Sequence, residues 1–535
     1  MPIRMTPDQP SGDQRRSNIP SGGGGGRGGG GGGIGGGIIG ALLPLLFRNP
    51  KLLIVVVIIG GLWFFFGGGK GCNLPAGADG GDLLNGFTKG ATLDPAEYDK
   101  AEVYEPLADN VKNPLPERAT LEQFAPPRLN QGQQGSCVAW ASAYAARSII
   151  HNQATGQTPD RNSAFSPSFT YNRIKIENSG CQGSYIERAM KDMLQRGAVP
   201  YSAFAYNDHD CNARPDAQAE ESAARYKIKG SQRLSASDDP NSAVDMLAMK
   251  QYLAQGSPIV IGMMVGGSFM QDMQGRDVWE PTQEDTQMSG FGGHAMCVIG
   301  YDDFKTERGG AFQIMNSWGR EWGNKGIAWV PYDAFKFFAK EAYAVYPMGT
   351  SAEEKPDRFD IRFGLAIVDD RGVATGAHIA LQHVGGRVFR TNGPVPKGTR
   401  FKVEVTNNVA CYTYIFGEET DGSAYTLFPY TPKHSPYCGT TGMRQFPKDQ
   451  SLTVDDVGTM DVMAILVANQ ALDYPGLTTR MNEVRLAGVG LKLAKVMGEE
   501  LLDPSKADYT QGDTFGASGA AATNAMAIVI QIEKR

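Results

Sequence analysis

Cys137 lies in the stretch NQGQQGSCVAWASAYAARSII, which starts at Asn130. Gly and Gln dominate as far as Ser136, and an Ala-rich run of good helix propensity opens at the cysteine itself. A thiol at a helix N-terminus meets the positive end of the backbone dipole and several free N–H groups. That lowers its pKa and favours the nucleophilic thiolate. Downstream, GFGGHAMCVIGYDD places His294 at the entrance of a predicted strand, Ala295 to Ile299, closed by a Gly-Tyr-Asp-Asp turn. A third segment, AFQIMNSWGREWGNKGIAWV, predicts a strand to Met315, a turn at Asn316-Ser317-Trp318-Gly319 and a second strand from Ile327. Each residue alone also has an ordinary reading: a small buried hydrophobe for Cys137, a satisfied structural histidine for His294, a turn former for Asn316. A thiol and an imidazole brought together would support covalent catalysis.

Together and in order, these segments resemble the papain family of cysteine peptidases. The matching residues are Asn130-Gln131-Gly132-x-x-Gly135-Ser136-Cys137, then His294-Ala295, then Asn316-Ser317-Trp318-Gly319-x-x-Trp322-Gly323. The Cys-to-His separation of about 157 residues is close to the family's roughly 130 to 150. The resemblance implies that Cys137 is the nucleophile and His294 the general base and acid, resting as a thiolate–imidazolium pair. It implies further that Asn316 orients the imidazole and that Gln131, beside the Cys137 backbone N–H, forms the oxyanion hole. Trp318 would shield the His294–Asn316 hydrogen bond. Gly180-Cys181-Gln182-Gly183-Ser184 resembles the cleft-lining segment of the family, so Gly183 and Ser184 are expected to bind substrate, with Gly135, Ser136, Gly293 and Trp318 around the nucleophile and base.

The resemblance runs from about Leu115 to Pro347 and implies an α+β, papain-like two-lobe fold. A helical lobe would carry Cys137 and a β-barrel lobe His294 and Asn316. SYIERAMKDMLQRGAVP has apolar spacing for a helix closing at Gly197, and NSAVDMLAMKQYLAQGSPIVIGMMV reads as a capped helix running into a strand. Three positions depart from the family: Val138 and Gln134 replace a tryptophan and a half-cystine, and Ser184 replaces a cleft glycine. No long charged helical propeptide precedes the domain, so activation by propeptide cleavage is not expected.

The elements around this core follow from length and composition. A chain of 535 residues holds about three units, or two plus tails. With 51 Lys plus Arg against 57 Asp plus Glu, the net charge of −6 offers no basic field for nucleic acid. The excess of glycine is local, from Gly22 to Gly37, and reads as part of a Gly-rich cytoplasmic tail over 1–47. Within 48–70, the apolar run Leu52–Gly69 would reach about 27 Å as a helix, enough for one transmembrane anchor. Arg4, Arg15, Arg16, Arg27, Arg48 and Lys51 precede it, and only Lys70 follows closely. The positive-inside rule then puts the N-terminus in the cytoplasm and the catalytic domain outside, in a single-pass protein of the cell membrane. Residues 71–114 read as a linker and 115–350 as the peptidase domain.

From about Phe359, alternating short strands punctuated by Gly, Asp and Pro predict a β-sandwich-like, all-β domain over 356–535. FKVEVTNNVACYTYIFGEETDGSAYTLFP resembles an all-β domain appended to bacterial papain-like and caspase-like peptidases, a possible docking domain for a protein partner. Its His378, His383 and His434 lack metal-ligand spacing, and neither metal nor cofactor is expected. Seven cysteines in an exported chain invite pairing. Cys181 and Cys211 stand at positions like two half-cystines of the family, though their usual partners are other residues, and their bond is expected. Cys411 with Cys438 is expected in the last domain.

The function expected is that of a membrane-anchored, exported cysteine peptidase, cleaving peptide or protein substrates through a Cys-His-Asn triad and an acyl-enzyme. One alternative is a cysteine amidase acting on cell-wall peptides; Asn316 within Asn-Ser-Trp-Gly points away from the His-His or His-Asp relay of such enzymes. The other is a catalytically silent peptide-binding or scaffold protein, against which intact Gln131, Cys137, His294 and Asn316 speak.

Overall fold

In the computed structural model, which describes residues 3–8, 88–108, 111–237, 239–346, 358–511, 514–520 and 523–535, the alanines after Cys137 fold into the predicted helix. It begins as α-helix at Cys137–Ala139, widens to π geometry over Trp140–Arg147 and resumes α geometry over Ser148–Thr155. Gly156 ends it at φ 67°, a left-handed position that glycine takes without steric cost. Ala139, Ala143 and Ala146 are fully buried, Ala139 against Tyr171 and Cys211 of the helical lobe and the other two in the core shared with the β lobe. Ser166 caps a second helix, Pro167–Ile174, by accepting from the Phe169 N–H at 3.1 Å. The two helices read from apolar spacing are present as Ile186–Gln195, followed by Gly197 at φ 92°, and as Met246–Ala254, capped by Asp245.

The β lobe is one nine-stranded sheet. Its order is His434–Ser435, Val103–Tyr104, Ser231–Arg233, Ala339–Val345, Ile259–Val265, Gly292–Thr306, Gly309–Met315 and Ile327–Pro331, with Arg118–Thr120 also paired to Gly292–Thr306. The barrel expected here does not close among the described residues. Instead the sheet grows sideways, because two short strands from outside the predicted peptidase domain add to its edge. Within it, antiparallel pairing sets Cys297 opposite Met315 and His294 opposite Met263. Asn316, the first residue past its strand, is thereby brought level with the start of the strand that bears His294.

The C-terminal domain has the predicted sandwich of two sheets, with eight and seven strands. Along Arg358–Val368, Phe359, Ile361, Phe363 and Leu365 point into the core between the sheets, as period-two alternation requires. It is not all-β. Helices Tyr474–Glu483 and Val489–Met497 bury Leu477, Met481, Val489 and Leu493 against the outer face of the seven-stranded sheet. Their signals were local: Asp473 and Pro475 make a helix start, and Val489, Leu493 and Met497 recur every four residues.

Two further expectations are corrected. Ile3–Pro7, assigned to a cytoplasmic tail, pairs antiparallel with Gln450–Val454 at the edge of the eight-stranded sheet. Asp8 then bonds Arg400 at 2.6 Å, Lys402 at 2.9 Å and Ser451 at 2.5 Å. These contacts put residues 3–8 beside the C-terminal domain. The linker assigned to 71–114 is built into the fold from Thr88 onward. The predicted anchor Leu52–Gly69, the glycine tract and Cys72 lie outside the described residues; among those described, no helix is long and apolar enough to cross a membrane.

Candidate active site

Cys137, at the helix N-terminus, is wholly buried, and its Sγ accepts from the Ala295 backbone N–H at 3.4 Å. The thiol therefore lies against the residue that follows His294. The imidazole Nε2 is 2.8 Å from Asn316 Oδ1, while Nδ1 has no hydrogen-bond partner. Because Asn316 Oδ1 also accepts from the Ser317 N–H at 2.7 Å, its oxygen faces the histidine and Nε2 carries the proton. Trp318 stacks on the imidazole at 4.3 Å between ring centroids and is itself buried, so it covers this hydrogen bond.

Gln131 is held on both sides. Its backbone N–H donates to Ser317 O at 2.8 Å, and its Oε1 accepts from Ser317 Oγ at 2.6 Å. That fixes the carboxamide so that Nε2 points towards the cleft. Tyr206 donates to Gln131 O at 2.7 Å, and Ser136 Oγ lies 2.7 Å from the Tyr206 hydroxyl. The Ser136 side chain thus turns towards Tyr206 and braces Gln131, instead of lining a substrate path.

Residues 88–93, Thr-Lys-Gly-Ala-Thr-Leu, run through the cleft. Thr88 O accepts from Gln131 Nε2 at 3.0 Å and from Trp318 Nε1 at 2.9 Å. Gly90 and Ala91 donate their N–H groups to Gly293 O at 3.3 and 3.1 Å. Ser184 donates to Gly90 O and accepts from the Thr92 N–H, each at 3.0 Å, making a parallel bridge centred on Ala91. Gly90 has to be a glycine: a Cβ there would lie 2.3 Å from Gly135 O. Leu93 fills the space over Gly262, where a Cβ would meet its side chain at 2.4 Å. This segment, called the strap below, covers the cysteine and the histidine. It is not the long charged helical propeptide whose absence the sequence predicts, but a short extended segment from the stretch assigned to the linker.

The strap changes the electrostatics. Burial pushes the Cys137 thiol up to about 12, opposed only in part by the N–H groups of Ala295, Val138 and Cys137. Burial likewise pulls His294 down to about 4; the hydrogen bond to Asn316 acts the other way, and the Lys89 ammonium of the strap adds to the lowering. Both shifts favour the neutral form of the group. They act against the expected thiolate–imidazolium pair, since excluding water penalises both charged partners.

The structure brings together Gln131, Cys137, His294, Asn316 and Trp318, with Gly135, Gly183, Ser184 and Gly293 along the strap. Ser184, which replaces a cleft glycine, is fully buried with Oγ unpartnered, and serves the strap through its backbone. Sequence reasoning missed Ser317, Tyr206 and Thr88. Only Ser317 carried a signal, as part of the Asn-Ser-Trp-Gly motif. The Cys181–Cys211 disulfide is present, with Cα atoms 5.8 Å apart, behind the cleft-lining turn. Cys411 and Cys438 face each other across an antiparallel pair but are free thiols, against expectation.

A two-lobed fold with this thiol, imidazole and carboxamide at the junction defines a cysteine protease of the papain type, and the chain belongs to the papain family. The profile of the papain family cysteine proteases matches residues 118–348. An uncharacterized peptidase C1-like protein of Acanthamoeba polyphaga mimivirus is 31% identical over 225 residues, 40% of this chain and 67% of that protein. Cathepsin K of Mus musculus is 30% identical over 210 residues, 38% of this chain and a little over half, 56%, of its own length. Among solved structures, xylellain, a cysteine protease from Xylella fastidiosa, is similar at 25% identity over 49% of this chain and 95% of its own, with a TM-score of 0.39.

Proposed function

We propose that the chain hydrolyses peptide bonds in peptide or protein substrates through Cys137, His294 and Asn316 once the strap leaves the cleft. The observation that carries this reading is the 2.8 Å bond from His294 Nε2 to Asn316 Oδ1, with Cys137 Sγ against the next residue, Ala295. With water readmitted, the thiol proton passes to His294 Nδ1. The thiolate attacks the carbonyl carbon, and the oxyanion takes hydrogen bonds from Gln131 Nε2 and the Cys137 N–H. As the C–N bond breaks, His294 protonates the leaving amine and a thioester remains. Water, deprotonated by His294, cleaves the thioester to release the acid and restore the thiol.

The test uses Gly90→Ala, whose Cβ cannot fit beside Gly135 O and so expels the strap. This variant should hydrolyse a peptide library and be labelled at Cys137 by an epoxysuccinyl peptide, whose ring the thiolate opens. Hydrolysis that persists in Gly90→Ala/Cys137→Ala would refute the assignment.

The same reading includes an exported protein held at a membrane through Leu52–Gly69. The Cys181–Cys211 disulfide supports export, because such bonds persist in oxidising compartments. Docking of a protein partner on the C-terminal domain is supported only by the resemblance of that domain.

A further inference from the structure

Beyond Leu93 the strap continues through the helix Pro95–Tyr98 to an exit, residues 99–108 and 111–113, that lies between the two domains. The catalytic side holds the exit through Arg233, whose guanidinium lies 4.4 Å over the Tyr98 ring, and through pairing of Val103 with Arg233. The other side of the same short strand belongs to the C-terminal domain: His434 and Ser435 pair with Val103 and Tyr104, and the Val103 N–H donates to Lys433 O at 2.8 Å.

The C-terminal domain grips the exit at three more places. Arg444, only 1% exposed, donates Nε to Glu105 O at 2.9 Å while its other nitrogens bond Asn407 and Thr440. Asn113 exchanges two hydrogen bonds with the Met443 backbone, at 2.9 and 2.8 Å, and also donates to Ala108 O at 3.0 Å. Lys433 forms an ion pair with Asp99. The grip is not densely packed throughout: a cavity of about 380 Å³ lies between Glu105, Ser235, Tyr430, His434 and Lys448. Val103, Tyr104 and Leu107 of the exit are buried, Tyr104 edge-on to Tyr252 of the catalytic core and Leu107 against Gly442 of the C-terminal domain, so the exit is seated on both domains by apolar contact as well as by hydrogen bonds.

We propose that the function of the C-terminal domain is to clamp this exit, and so to keep the strap in the cleft and the peptidase latent. The proposal rests on the reading of the cleft as the catalytic site. The way the strap is held within the cleft makes the clamp necessary. Within the cleft it is bound chiefly by backbone hydrogen bonds, and among residues 88–93 Leu93 is the one large apolar side chain. The ordering of those residues therefore depends on what holds them downstream.

The experiment compares hydrogen–deuterium exchange of residues 88–93 in the full chain with that in Asn113→Ala/Lys433→Glu. The double variant removes three hydrogen bonds and reverses the Asp99 ion pair without touching the catalytic groups. Exchange of the strap amides should quicken at least tenfold while the core strand Ile259–Val265 stays protected. Unchanged strap exchange would overturn the clamp. If the double variant also loses protection in Ile259–Val265, Lys433→Glu alone decides, since that side chain is 48% exposed and its loss leaves the fold intact. Exchange reads the strap whether or not Cys137 is a competent nucleophile. A failure of the catalytic reading would appear instead in epoxide labelling of Gly90→Ala.

Discussion

The carbonyl oxygen of Thr88 accepts the hydrogen bond of the Gln131 side-chain amide at 3.0 Å. The donor assigned to the developing oxyanion is therefore already spent on the chain's own backbone. Trp318 Nε1 binds the same oxygen at 2.9 Å, so the strap engages the shielding ring as well.

Removing that donor should slow turnover after the strap is gone. In the Gly90→Ala background, Gln131→Ala is expected to lower kcat/KM by about 10² to 10³, because one oxyanion donor is lost while the Cys137 N–H remains. Steady-state hydrolysis of a fluorogenic peptide measures this; an unchanged rate would remove Gln131 from the oxyanion hole.

The triad residues should differ in severity. Cys137→Ala abolishes turnover and labelling, and His294→Ala is nearly as damaging because the two act as a unit. Asn316→Ala should leave residual activity, since it orients the imidazole without exchanging a proton. Kinetics of all three in the Gly90→Ala background, alongside that parent, test the order; equal activity in parent and Cys137→Ala contradicts the mechanism.

The pH profile should report the strap directly. With the Cys137 thiol pushed up to about 12, labelling of the wild-type chain should rise about tenfold per pH unit from pH 7 to 10, as the thiolate fraction grows. In Gly90→Ala, burial no longer penalises either charge. Thiolate and imidazolium can then coexist, and labelling should level off at lower pH. Superimposable profiles would mean that burial by the strap does not set the thiol's titration.

How far the sequence could be read depended on the range of each interaction. Gln131, Cys137, His294 and Asn316 were legible because each lies in a local motif tied to a helix start or strand end, and their meeting follows from the resemblance. The role of Thr88 was illegible: its contacts with Gln131 and Trp318 span 43 and 230 positions and use only its backbone oxygen, which leaves no side-chain signature. The same holds for Val103 and Tyr104, a two-residue strand whose neighbours lie more than a hundred positions away on either side. Free Cys411 and Cys438 show the limit of pairing cysteines by elimination. They do face each other, yet remain thiols.

The N-terminal strand gives a test of topology. Thr6 stands directly opposite Ser451 in the antiparallel register, so cysteines at both positions should form a disulfide in the intact cell-bound protein. Failure of that cross-link, with reporters at residue 1 and residue 535 on opposite faces of the membrane, would support the single-pass arrangement and remove the Ile3–Pro7 pairing from the native chain.

The tether gives the strap an effective concentration that a free peptide of the same sequence lacks, on the order of millimolar for short flexible linkers. Its weak backbone contacts suffice only because the clamp keeps the occupant next to the cleft. Where the chain is cut therefore matters more than whether it is cut. A nick upstream of Thr88 leaves the strap joined to the clamped exit and the enzyme silent. A nick at the exposed residues Lys100 or Glu102 separates the strap from the exit strand and leaves it tethered only through the long chain back to Ile3–Pro7, which lowers its concentration at the cleft.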